Sequence, residues 1–83
     1  MSLSKIIAWC ILNGEVHSQH SFIDNFKRQS TLWYIDATFN GVIMSFNYRK
    51  YGERCVLYRS ASILKDGRVQ NCDTVTELKE ALL

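Results

Sequence analysis

Apolar and polar residues alternate in the middle of the chain, on both sides of an Asn-Gly pair. The two alternating segments are residues 30–39 and 42–50, and Asn40-Gly41 separates them. This arrangement is typical of a β-hairpin with a two-residue type I′ turn. If Phe39 faces Val42 across the turn, one face of the hairpin collects the large apolar pairs. These pairs are Ala37 with Met44, Ile35 with Phe46 and Trp33 with Tyr48.

The opposite face of this hairpin receives a mixed and mostly polar set of side chains. The set comprises Leu32, Tyr34, Asp36, Thr38, Ile43, Ser45, Asn47 and Arg49. A slip of one residue would scatter the apolar side chains over both faces, so the pattern selects a single register. We therefore expect the apolar face to be buried and the mixed face to be the opposite surface of the sheet.

A second hairpin is predicted at the octet NYRKYGER, residues 47–54, which leads into a third strand at residues 54–64. With Tyr51-Gly52 as the turn, Lys50 lies opposite Glu53. Tyrosine at the first turn position would need a positive φ, so a loop of four or five residues fits equally well. Either arrangement makes this octet the tip of a hairpin.

The third strand carries one charge, Arg59, on its otherwise apolar face. We expect its aliphatic stem to lie along the sheet with the guanidinium reaching water. Asp66-Gly67 then indicates another two-residue turn, and residues 68–72 after it read as a short fourth strand at the sheet edge. The sheet is therefore predicted to have three or four strands.

The C-terminal segment DTVTELKEALL has the spacing of a helix that packs on one side only. Asp73 or Thr74 is the expected N-cap, and Glu77 completes a capping-box pattern. Val75, Leu78 and Leu82 form its apolar stripe. This stripe requires the sheet to cover it.

The N-terminal segment fits two patterns. Leu3, Ile6, Ile7, Cys10 and Ile11 have helical spacing, whereas residues 5–19 also fit a hairpin. A helix ending at Gly14 is favoured, because residues 15–19 are too polar for a strand that must be half buried. A short second helix is expected at residues 21–29, with Ser21 as its cap.

Together these elements predict an α+β fold in one compact domain spanning residues 1–83. It consists of a three- or four-stranded antiparallel meander, one or two N-terminal helices and a C-terminal helix. Hydrophobic residues make up 47% and charged residues 22% of the chain, a composition that favours a packed core over disorder. No apolar run approaches the roughly 18 residues that span a bilayer, so no association with a membrane is expected.

Three cysteines, Cys10, Cys55 and Cys72, cannot all pair within one chain, and their spacing fits no disulfide framework. Unpaired thiols are usual in reducing compartments, so the expected location is cytoplasmic.

Residue types that carry catalysis or bind metals are present without the spacing that such sites need. His17 and His20 lie three residues apart. Small zinc domains usually have two cysteines within four residues of each other, and this sequence has no such pair. Asp36 lies inside a strand with no second acid near it for acid–base work, and no glycine-rich phosphate loop occurs. The sequence predicts no metal, no cofactor and no enzymatic activity.

The formal net charge is +2, but it is unevenly distributed. Between Arg49 and Lys65 five basic residues accompany one acidic residue, a local net charge of +4. Aromatic residues are interleaved with these cations. The predicted partner-binding residues are Tyr34, Arg49, Lys50, Tyr51, Arg54 and Tyr58.

Tyrosine and arginine are the residue types that anchor protein interfaces. We therefore predict a small non-catalytic protein-binding module, a regulator or inhibitor that occupies a surface on a larger protein partner; self-association as a homodimer belongs to the same class. The alternative is a nucleic-acid-binding protein, since rings between arginines also stack on bases beside phosphates. In size, lack of catalytic motifs and α+β plan, the chain resembles small regulators and inhibitors carried by phages and mobile elements.

Overall fold

The computed structural model describes residues 2–22 and 31–82. The elements in chain order are α1 (Leu3–Leu12), β1 (Val16–Phe22), β2 (Thr31–Phe39), β3 (Val42–Tyr51), β4 (Arg54–Lys65), β5 (Arg68–Cys72) and α2 (Val75–Leu82). The strands form one antiparallel sheet in the order β1-β2-β3-β4-β5. The α+β class is confirmed, but within residues 2–22 and 31–82 the sheet has five strands rather than three or four.

The central hairpin has the register that its sequence predicts. Phe39 pairs with Val42, and the pairing continues without a break to Thr31 opposite Lys50. Asn40 and Gly41 both adopt left-handed conformations, with φ of 51° and 76°. Two positive φ values define the type I′ turn, whose twist matches that of the strands it joins.

The β3–β4 hairpin turns one residue later than the first predicted alternative. Tyr51 pairs with Arg54, so the turn residues are Gly52 and Glu53, and the predicted pairing of Lys50 with Glu53 is wrong. Gly52 takes the first turn position with φ 61°, which glycine adopts without the strain that a tyrosine would meet there. The register moves by two residues along β4, so the same side chains remain on the apolar face.

A bulge interrupts the pairing of β3 with β4. Asn47 pairs with Tyr58, whereas the neighbouring Phe46 pairs with Ala61, so Arg59 and Ser60 are extra residues on β4. Arg59 has φ 65° and is exposed. Because the bulge absorbs Arg59, the residue does not lie on the apolar face where the alternation of the sequence places it.

The first strand lies where the favoured interpretation of the sequence has a loop, although the alternative hairpin over residues 5–19 includes a strand there. Residues Val16–Phe22 pair with β2, although their polar composition favours a loop, and Ser21 belongs to this strand rather than to a second helix. An edge strand pairs on one side only, so the exposed His17, Ser18 and Gln19 are compatible with it. The remainder of the predicted second helix lies outside the described residues.

Each helix begins at a side-chain cap, and α1 is followed by the glycine that its sequence predicts. In α1 the Ser2 hydroxyl accepts a hydrogen bond from the Lys5 amide at 3.3 Å, and Gly14 follows the helix with φ 70°. In α2 the Thr74 hydroxyl accepts from the Glu77 amide at 3.1 Å, while the Glu77 carboxylate accepts from the Asp73 amide at 3.3 Å. This exchange satisfies amides that the first turn leaves unpaired.

The two helices pack on the same face of the sheet, which we call the inner face. Leu3, Ile6, Ile7 and Cys10 of α1 and Leu78, Ala81 and Leu82 of α2 join the buried residues of β2–β5 in one core. Trp33 and Leu57 pack at its margin, so the side predicted to be buried is confirmed. Neither helix has the length and apolar character to cross a membrane, as judged over the described residues.

Candidate interaction surface

The face of the sheet opposite the helices, the outer face, carries most of the residues that the sequence predicts to bind a partner. Both described helices pack on the inner face. Most of these side chains in the central strands are half-buried. They comprise Leu32, Tyr34, Asp36, Thr38, Ser45, Asn47, Arg49, Val56 and Tyr58.

Tyr58 contacts two arginines, and these three residues form what we call the arginine–tyrosine cluster. The guanidinium carbon of Arg49 lies 4.8 Å from the centroid of the Tyr58 ring, and that of Arg59 lies 5.3 Å from it. Both distances are within the range of cation–π attraction. The two guanidinium groups present fixed positive charge beside an aromatic ring.

The bulge on β4 is the reason that Arg59 joins this cluster. Regular alternation would put Arg59 on the inner face. Because Arg59 has a left-handed backbone and forms the bulge with Ser60, it does not follow this alternation. Arg59 is therefore a site residue that the sequence reasoning did not include. The available signal was a lone charge at a strand position that otherwise belongs to the core.

A row of exposed aliphatic side chains crosses three strands on the outer face. Ile43 pairs with Leu64, and Leu64 pairs with Val69, so the three residues lie side by side on β3, β4 and β5. Their exposed fractions are 41%, 39% and 76%. We call these three residues the aliphatic row. Covering aliphatic side chains with another surface removes apolar area from water, which lowers the free energy of the complex.

Tyr34 is held in the plane of the outer face by a polar contact. Its hydroxyl lies 2.7 Å from the Ser45 hydroxyl on the neighbouring strand. Ser45 in turn pairs with Asp36, the acidic residue that the sequence places on this face. The contact ties the Tyr34 side chain on β2 to Ser45 on β3.

The predicted binding residues at the hairpin tip divide between the two faces. Tyr51 and Arg54 are exposed and lie opposite each other, on the side that also carries Arg49. Lys50 points the other way, with its ammonium nitrogen 5.6 Å from the centroid of the Trp33 ring. Five of the six predicted residues thus share the outer face, and Lys50 does not.

On the inner face, a groove of about 300 Å³ separates α1 from the sheet near the same tip. Its lining includes Ile7, Trp33, Tyr48 and Cys55. The Tyr48 hydroxyl accepts a hydrogen bond from the Gln19 side-chain amide at 3.0 Å. Burial of the ring raises the pKa of Tyr48, with that hydrogen bond opposing the effect.

Two of the three thiols, Cys10 and Cys72, are buried in the core. Burial raises the pKa of Cys10 to about 11 and also raises the pKa of Cys72, and nearby carboxylates act in the same direction. The Cys10 thiol donates to the Thr38 carbonyl oxygen at 3.6 Å. Thiols held protonated are poor nucleophiles and poor metal ligands.

Residue types that can bind metals lie apart from one another in the part of the chain that the structure describes. Among the described residues, no group of three or more His, Cys, Asp and Glu side chains is placed to hold an ion. The Nε2 atom of His17 lies 2.6 Å from the Thr38 hydroxyl. The side chain of His20 lies outside the described residues.

The fold and the surface define a small α+β domain with a helix-covered inner face and a mixed outer face. No protein-family model, curated protein or solved structure matches the chain.

Proposed function

We propose that this protein is a non-catalytic protein-binding module that regulates or inhibits a larger protein by covering part of its surface with the outer face. The observation that carries the proposal is the combination on one face of the aliphatic row with the arginine–tyrosine cluster. Interfaces place apolar and aromatic residues at their centre and arginine beside them. The outer face supplies both parts.

The charge on the outer face indicates the chemistry of the partner. The charged residues described there are Arg49, Arg54 and Arg59 against Asp36. A complementary partner has an apolar patch that meets Ile43 and Leu64, with carboxylates near the arginines. Such charge pairs steer the encounter and fix its orientation more than they strengthen the complex.

Nucleic acid binding is the second candidate, and the basic hairpin tip is the observation that favours it. Tyr51 and Arg54 lie exposed beside Arg49. The aliphatic row argues for the protein partner instead, because phosphate and sugar offer little to three adjacent aliphatic side chains. The Tyr58 ring also has two guanidinium groups close to it, which compete with a base for its faces.

The proposal is tested by affinity capture from the native host with matched variants. The double variant Ile43→Ser with Leu64→Ser should lose a partner that the wild-type bait retains. Because both side chains are exposed, the two substitutions should change the stability of the fold little. Leu12→Ser is the control, since Leu12 is 84% exposed at the end of α1 and lies away from the outer face. Equal capture by all three baits would reject the outer face as the binding surface.

Oligonucleotide binding measured over a series of salt concentrations separates the two candidates. Phosphate contacts give a steep fall of affinity with salt, and loss of that binding in Arg49→Ala with Arg54→Ala would favour the nucleic acid. Undetectable binding at low salt, together with selective loss of a protein in the capture experiment, supports the module.

We also propose a cytoplasmic location. It is supported by three unpaired cysteines, two of which are fully buried and one half-buried. Free thiols persist where the medium is reducing.

A further inference from the structure

Strand β5 is an edge of the sheet over the described residues, and its middle residues carry little of the usual protection against pairing. It contains five residues, Arg68–Cys72, and only its first residue is charged. The opposite edge, β1, is different, because its pairing shifts between Val16 and Ser18. Bulges, prolines and charges are the devices that keep edges apart, and the middle of β5 has none of them.

The turn before β5 determines which of its backbone groups face outward. Asp66 and Gly67 form a two-residue turn with positive φ values of 53° and 77°, so Lys65 and Arg68 are the hydrogen-bonded pair. Hydrogen-bonded and non-hydrogen-bonded residue pairs alternate along two antiparallel strands. Val69 and Asn71 therefore direct their N–H and C=O groups away from β4.

We propose that β5 pairs with β5 of a second copy of this chain, antiparallel and symmetric about Gln70. In this register Val69 of each copy exchanges two backbone hydrogen bonds with Asn71 of the other. A centre shifted to Asn71 would place Val69 opposite Asp73, whose amide already donates to the Glu77 carboxylate. With the symmetry centre at Gln70, all the backbone groups that pair between the copies belong to Val69 and Asn71, which both lie in β5.

The charges along β5 favour the antiparallel arrangement with a second copy. The strand begins at Arg68 and is followed by Asp73 and then Glu77 in the first turn of α2. Antiparallel pairing brings Arg68 of each copy opposite Cys72 and next to the acidic end of the other. Two symmetric charge contacts result, whereas a parallel arrangement would set like charges together.

The aliphatic row also continues across this junction. Val69 is 76% exposed and is the end of the row at the edge of the sheet. The register makes Val69 of the two copies diagonal neighbours on the outer face, a separation of roughly 7–8 Å. The apolar stripe then runs from Ile43 of one copy to Ile43 of the other over six strands.

The dimer goes beyond the proposed function, since it concerns the strand edge and does not involve the arginine–tyrosine cluster of either copy. A ladder of five residues is short, and complexes with small interfaces dissociate readily. We therefore expect a reversible dimer whose population increases with protein concentration.

Disulfide trapping tests the register directly. In a Cys55→Ser background, Gln70→Cys should form a disulfide dimer under mild oxidation. The two introduced cysteines lie opposite each other as a non-hydrogen-bonded antiparallel pair, whose Cα atoms are within disulfide range. Val69→Cys is the matched control, since its diagonal counterpart is out of that range. Failure of Gln70→Cys to crosslink, or equal crosslinking by both variants, would overturn the proposed pairing.

Sedimentation of the protein without introduced cysteines, in reducing buffer, tests whether the dimer forms. The average mass should rise with concentration, and Val69→Pro should raise the dissociation constant about tenfold or more, because two of the four intermolecular bonds disappear. Proline is tolerated on an edge strand where its missing N–H faced solvent. Circular dichroism verifies that this variant is folded.

A charge exchange provides a second variant that leaves the backbone unchanged. Arg68→Glu should weaken the dimer, and adding Asp73→Arg should restore it. A protein that stays monomeric at all concentrations overturns the proposal. So does a dimer that survives Val69→Pro but is lost in Ile43→Ser, because that result means that the two sheets stack face to face.

Discussion

The ammonium nitrogen of Lys65, at the end of β4, lies 2.8 Å from the carbonyl oxygen of Ala81 in the last turn of α2. The side-chain amide of Asn40 donates to the neighbouring Leu82 carbonyl oxygen at 3.1 Å. Carbonyls at the end of a helix lack partners within it and carry partial negative charge. Two turns of the sheet thus hold the same end of one helix.

Lys65→Met should lower the free energy of unfolding by about 1 kcal/mol, the usual contribution of such a contact. Urea denaturation measures the change, and Lys79→Met on the same helix is the control that should show a smaller loss. Asn40→Gly keeps a turn residue suited to positive φ and removes only the amide donor. If Lys65→Met and Lys79→Met lose the same stability, the contact with Ala81 contributes nothing.

Short-range chemistry explains which parts of the fold could be predicted from the sequence. Asn40-Gly41 and Asp66-Gly67 specify turns through their own backbone preferences, and both hairpins follow. The caps of α1 and α2 are equally local. Alternation also separates Lys50 from Arg49, since neighbouring residues of a strand point to opposite faces, although the predicted site grouped them together.

The remaining features depend on tertiary relationships. Residues Val16–Phe22 become a strand because β2 offers an unpaired side, and nothing in their polar composition indicates it. The bulge at Arg59 adds two residues to β4, so the alternation before and after it is unchanged. A pattern of period two cannot reveal an insertion of two residues, so alternation alone does not place Arg59 beside Tyr58.

The left-handed backbone at Arg59 predicts an unusual order of stability among its variants. Arg59→Gly and Arg59→Ala both remove the guanidinium from the Tyr58 ring, but only glycine adopts φ 65° without strain. The glycine variant should therefore be more stable than the alanine variant by about 1 kcal/mol. Thermal and urea unfolding of the pair measure this difference, and an alanine variant of equal stability would argue against the bulge in solution.

The three thiols should differ in their reactivity towards a maleimide at neutral pH. Cys10 and Cys72 are fully buried, whereas Cys55 is half-buried beside the groove under α1. We expect one fast modification at Cys55 and slow modification of the other two, limited by opening of the fold. Mass spectrometry of the labelled peptides identifies the site, and Cys55→Ser should abolish the fast phase. Rapid labelling of Cys72 would instead show that β5 opens independently.

Buried acids that remain protonated predict a loss of stability in alkaline solution. Burial raises the pKa of Cys10 from 9.0 to about 11, so the unfolded chain releases this proton at lower pH than the folded chain. The contribution is complete below pH 9 and is lost as the pH rises towards 11. Urea midpoints across this interval should fall, and Cys10→Ala should give a shallower decline from its own lower starting point. Tyr48 and Cys72, whose pKa values burial also raises, preserve part of the slope. A decline that is identical in wild type and Cys10→Ala would mean that the Cys10 thiol does not titrate differently in the two states.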